Sequence, residues 1–108
     1  MITLALPGFL TDGVALYQDG KFDEAEMLFK KMLTCIPEHA ACHYMVGLVY
    51  LTKNHPLDGI AHIEKALNKA PWHKEWRENL IKAYESVGET AKAAELTTVA
   101  WVPVAANE

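Results

Sequence analysis

Histidine and cysteine carry most of the reactive chemistry in this 108-residue sequence. His39, Cys42 and His43 lie close together, with Cys35 just upstream. Cysteine and histidine are the usual zinc ligands, so the cluster raises a metal site. None of the common paired-cysteine spacings is present, however, and a buried free cysteine behaves as a small hydrophobe. The expectation is that no metal binds here and that Cys35 and Cys42 do not form a disulfide in a reducing compartment. His62 and Glu64 share one helical segment, and surface residence is the expected role of the histidines generally. There is no glycine-rich phosphate loop, no Gly-x-Ser-x-Gly elbow and no His-Glu-x-x-His. The expectation is a non-enzyme with no catalytic residues and no cofactor.

Charge narrows the partners. Ten basic residues face fourteen acidic ones, a net charge of −4. That disfavours nucleic acid, whose phosphates normally call for a basic patch. Residues 1–39 hold three basic and six acidic groups, residues 40–73 three and two, and residues 74–108 four and six. No block of one sign reads as a tail for a membrane or a polyanion. The apolar opening Met1–Leu6 is short, lacks a basic lead and meets Pro7-Gly8 at once, which argues against a signal peptide. Hydrophobic residues make up 51% and charged residues 22%, the balance of a globular chain. A cytoplasmic protein of one domain, spanning 1–108, is expected.

The elements that must position any site repeat at a fixed interval. A shift of 34 residues takes Gly13 to Gly47, Tyr50 to Tyr84 and Pro37 to Pro71. It also takes Ala25 to Gly59 to Ala93, Gly20 to Asn54 to Gly88, Leu33 to Leu67 to Trp101, and His39 to His73, the last as an incidental match. The repeats are residues 6–39, 40–73 and 74–107. Phe22, Ala25, Leu28, Phe29, Met32 and Leu33 follow helical spacing with one apolar stripe, and Ile60, Ile63, Ala66 and Leu67 repeat it. Gly20 and Gly88 suit left-handed helix ends, and Pro37 and Pro71 prevent continuation of the helices before them. Small residues recurring at Gly13 and Gly47, and at Ala25 and Gly59 facing them, predict closely crossing helix pairs. The first helix is expected to begin near Pro7, or later with Thr11 as its cap.

With Phe9, Gly13, Ala25, Phe29 and Pro37 in the first unit, the sequence resembles the tetratricopeptide repeat family. The second unit supplies Val46-Gly47, Tyr50, Gly59, Ile63, Ala66 and Pro71, and the third Leu80, Tyr84, Ala93 and Ala100. Departures fall at Asp12, Ile81, Thr97 and Ala105, mostly in the third unit. The resemblance implies an all-α fold, a right-handed superhelix of three helix–turn–helix units forming an α-α solenoid. It places Cys35 and Cys42 on sites usually filled by buried apolar residues.

The resemblance further implies a concave groove lined by the first helix of each unit. Carried over by position, its lining is Leu10, Val14 and Tyr17, then Tyr44, Met45, Leu48 and Leu51, then Glu75, Glu78, Asn79, Lys82 and Glu85. Exposed apolar stripes of this kind usually mark an interaction site. A carboxylate clamp of the type known in the family is not expected, because Leu10, Val14, Met45, Glu75 and Asn79 leave no cation at its positions. The implied function is a protein–protein interaction module holding a peptide or helix that is apolar with a basic end. A self-assembling scaffold, or a helper domain for an enzyme such as a bacterial transferase, is the alternative. Self-association as a homodimer is expected through Tyr84, Val87, Val99 and Trp101, with Trp101 on the site of Leu33 and Leu67.

Overall fold

The computed structural model describes residues 2–98, with side chains from Leu10 to Thr97. Six helices follow one another: α1 (Ile2–Gln18), α2 (Phe22–Cys35), α3 (Ala40–Thr52), α4 (Pro56–Lys69), α5 (Lys74–Ser86) and α6 (Thr90–Thr98). The start of α1 corrects the sequence expectation, since the helix begins before Pro7 and runs through Thr11. Each helix packs chiefly on its neighbours in sequence, giving the pairs α1/α2, α3/α4 and α5/α6.

One turn is used three times. Gly20, Asn54 and Gly88 have φ of 84°, 68° and 82°, the left-handed region. At the first turn Lys21 N–H donates to Leu16 O at 2.8 Å and Gly20 N–H to Tyr17 O at 3.0 Å. His55 to Tyr50 and Asn54 to Leu51 repeat that pattern, as do Glu89 to Tyr84 and Gly88 to Glu85. These paired bonds satisfy carbonyls that the helix end would otherwise leave open. Asparagine takes the second turn because its short polar side chain tolerates a positive φ better than most.

Within the pairs, glycine sets the approach. A β-carbon on Gly47 would lie 2.6 Å from Ile63 Cγ1 and 2.9 Å from the carbonyl oxygen of Gly59. A β-carbon on Gly59 would lie 2.8 Å from the carbonyl oxygen of Gly47. The α3 and α4 backbones therefore touch, which only residues without a β-carbon permit. In the first pair the ring of Phe29 fills the space that Gly13 leaves and would collide with a β-carbon there. Phe29 is wholly buried, a burial that contributes about 2–3 kcal/mol.

The core has two lobes that meet at α3. Ala25, Phe29, Met32, Cys42, Val46 and Val49 form the first. Tyr44, Ile60, Ile63, Ala66, Trp76, Leu80, Ala83, Tyr84 and Ala93 belong to the second. Helix α3 feeds both, so it is apolar around most of its circumference, as a central helix must be. Its start is also defined by a side chain: His39 Nδ1 accepts from Cys42 N–H at 3.1 Å, capping the helix. That histidine is structural rather than incidental. His73, its counterpart one period on, makes no such bond and stacks on Trp76 at 3.7 Å instead.

Candidate functional site

The expected groove residues come from α1, α3 and α5, and side chains link these helices directly. Tyr17 Oη and Thr52 Oγ1 are 3.4 Å apart, joining α1 to α3. Tyr44 stacks on Trp76 with ring centres 4.8 Å apart, and Asn79 Nδ2 donates to Tyr44 Oη, joining α3 to α5. The second link corrects an expectation. Tyr44 is only 6% exposed, so it is a core residue and not a free contact. Burial also pushes its phenol up, with the Asn79 bond acting in the opposite sense.

Other expected residues are divided between core and surface. Leu10, Val14 and Tyr17 are half-buried against the first lobe. Met45 packs on both lobes, and Leu48 and Leu51 lie against the second. Glu75, Glu78, Lys82 and Glu85 are exposed. Glu78 stands 3.9 Å from Lys74, whereas Lys82 makes no ion pair among the described residues.

Four of the expected residues share a cleft. Leu48, Leu51, Asn79 and Lys82 line an open space of about 390 Å³ between α3 and α5, together with Asn54, Pro56, Ala83 and Ser86. Leucine, proline and alanine carbons make its apolar part. Lys82, Asn79, Asn54 and Ser86 supply hydrogen-bonding groups, among which Lys82 is the one charge. Apolar lining with a few converging polar groups is the usual make-up of a recognition cleft. Asn54, Pro56, Ala83 and Ser86 were not expected from sequence. The 34-residue alignment assigns groove positions along the first helices, and the turn that brings Asn54 and Pro56 there is visible only in space.

The candidate metal residues do not converge. Cys35 is exposed at the end of α2, which corrects its expected burial. Cys42 is fully buried, donates to the Phe29 carbonyl at 3.0 Å and has its thiol pushed up to about 12 by burial. His39 is engaged in capping, and His43 turns instead to His62, with their Nδ1 atoms 3.1 Å apart. Among the described residues no group of three or more histidine, cysteine or carboxylate side chains is arranged to hold a metal. Both His62 and Glu64 are half-buried rather than free at the surface, Glu64 accepting from Tyr84 Oη at 2.5 Å.

That bond bears on the expected self-association face. Tyr84 is 8% exposed, packed in the second lobe with Lys92 5.9 Å from its ring centre, so it does not form an open end surface. Val87 is half-buried against the same lobe. Val99 and Trp101 lie outside the described residues.

No protein-family model and no curated protein matches the chain. Solved structures do. A MamA RS-1 ArsTM double mutant superposes with a TM-score of 0.81 at 20% identity, covering 86% of this chain and 52% of that one. A point mutant of MamA superposes with a TM-score of 0.76 at 18% identity, covering 86% of this chain and 68% of that one. This chain thus spans about half the length of the first and two thirds of the second. The likeness is one of fold alone: an all-helical repeat solenoid. No described helix is long and apolar enough to cross a membrane.

Proposed function

We propose that this chain is a non-enzymatic protein-interaction module that receives a segment of a partner in the cleft between α3 and α5. The observation that carries the reading is the joint lining of that cleft by Leu48, Leu51, Lys82 and Asn79. An apolar side chain of the partner seats against Leu48, Leu51 and Ala83, where it leaves water. A carbonyl or carboxylate beside it accepts from Lys82 and Asn79. The basic end expected of the ligand falls beyond the cleft, where Glu75 and Glu78 are exposed on the earlier turns of α5. A helix or extended strand serves equally, provided its anchor and its acceptor lie within one or two residues of each other.

Selection of peptides from a random display library on the immobilised chain, followed by calorimetry with the selected peptides, tests this reading. Lys82 is exposed and makes no ion pair among the described residues, so Lys82→Glu leaves the fold intact and weakens binding about tenfold or more. Lys31→Glu, an exposed charge change on α2, leaves affinity unchanged. Equal affinities for wild type and Lys82→Glu would place the binding surface elsewhere.

A further inference from the structure

His43 of α3 and His62 of α4 meet head to head. Their Nδ1 atoms are 3.1 Å apart while the ring centres are 5.3 Å apart and the ring planes differ by 26°. The nitrogens are closer together than the ring centres by about the combined radii of two imidazole rings, so they sit almost on the line between the centres. This is an in-line N–H···N hydrogen bond and not a face-to-face stack. The other nitrogen of His43, Nε2, lies 2.8 Å from the carbonyl oxygen of Pro37 in the α2–α3 turn.

The network assigns the hydrogens. A carbonyl only accepts, so His43 Nε2 carries the hydrogen and donates to Pro37 O. Neutral His43 then has a lone pair on Nδ1, and His62 must donate to it from its own Nδ1–H. One proton from solvent is accommodated on the remaining nitrogen, His62 Nε2, with both bonds kept. A second has nowhere to go. It would place a hydrogen on His43 Nδ1, pointing at the Nδ1–H of His62, with two like charges in contact.

We propose that this histidine pair is an acid-sensitive latch that ties the α2–α3 turn, α3 and α4 together and releases them when both rings are protonated. The surroundings act in the same direction. His62 is held below the ordinary histidine value of 6.5, mainly by burial, with His43, Lys65 and Lys30 adding to the effect and Asp58 opposing it. From α3 the ring of Tyr50 lies 5.5 Å from that of His62, with Lys30 of α2 5.5 Å from the Tyr50 ring centre. Around His43 stand Glu38 of the turn and Lys65 and Lys69 of α4, and Lys69 is paired to Glu38 at 2.5 Å. Among the described residues lining that side Glu38 is the one acid, and its charge is already engaged.

In the unfolded chain both imidazoles are free to take up protons, whereas the folded network has a place for only one added proton. Stability is therefore complete above about pH 6.5 and falls as pH drops below it. The latch operates whatever occupies the α3–α5 cleft.

Two measurements on the full chain test the latch. Long-range proton–nitrogen NMR at neutral pH should show His43 in the Nε2–H form and His62 in the Nδ1–H form. Finding His62 in the Nε2–H form would remove the hydrogen bond and with it the latch. This readout needs no variant. The second compares wild type with His43→Phe combined with His62→Leu, the residue types that stand at Phe9 and Leu96 one period away. Between about pH 7 and about pH 5 the melting temperature of wild type should fall by roughly 5 °C more than that of the variant. Parallel falls in the two proteins would overturn the proposal.

Discussion

The α3/α4 pair and the α5/α6 pair answer the same packing problem in opposite ways. In the first, Gly47 and Gly59 bring two backbones together, and Ile63 on α4 supplies the bulk beside them, wholly buried. In the second, the same positions hold Ile81 and Ala93, and Thr97 replaces Ile63. Ile81 packs against the second lobe from α5, while Thr97 is exposed and donates to the Ala93 carbonyl at 2.8 Å. The large side chain has moved from the second helix of the pair to the first. What the period conserves is filled volume and not residue identity, as volume-preserving exchanges in cores generally show.

Substitutions that invert this arrangement probe it, beginning with the most damaging. Gly47→Leu should cost more than about 3 kcal/mol, because the atoms in its way include the Gly59 backbone, which has no flexible end to move. Urea denaturation that leaves the midpoint unchanged would mean that the two helices do not meet there. Tyr44→Ala comes next, at about 3 kcal/mol, since it removes a buried ring from the joint between the two pairs and strands Asn79. Retained stability with lost partner binding would restore Tyr44 to the surface.

Smaller effects separate the pairs more finely. Ile81→Ala should cost about 1–2 kcal/mol, because a half-buried side chain leaves a space that solvent and neighbours partly fill. If Ile81→Ala destabilised as much as Gly47→Leu, the two pairs would be equally tight and the contrast would fail. Least of all are the turns. Gly20→Ala or Gly88→Ala meets no steric obstacle and pays only for its positive φ, about 1 kcal/mol. Asn54→Gly should change stability by less than about 0.5 kcal/mol in either direction. Thermal melts of the three variants check the ranking.

Much of this fold was legible because it depends on spacing. Glycine at 13 and 47, the left-handed sites at 20, 54 and 88, and proline at 37 and 71 each mark a local backbone event. Such events survive being read one residue at a time. What escaped depends on neighbours distant in sequence. Tyr44 looked like a groove contact until Trp76 and Asn79, more than thirty residues on, covered it. Tyr84 looked exposed until α4 offered Glu64. The histidine pair spans nineteen positions, and only the crossing of α3 and α4 brings its two nitrogens into line.

The two cysteines of the chain differ in a way that provides a clock. Cys35 is exposed, so a thiol reagent reaches it in the native protein. Cys42 is sealed within the first lobe, bonded to the Phe29 carbonyl, with its thiol pushed up to about 12. At neutral pH burial holds Cys42 in the unreactive thiol form, even before access is considered. Alkylation of Cys42 therefore proceeds through opening of the lobe, and its rate, with Cys35 as the internal standard, records how often α2 and α3 part.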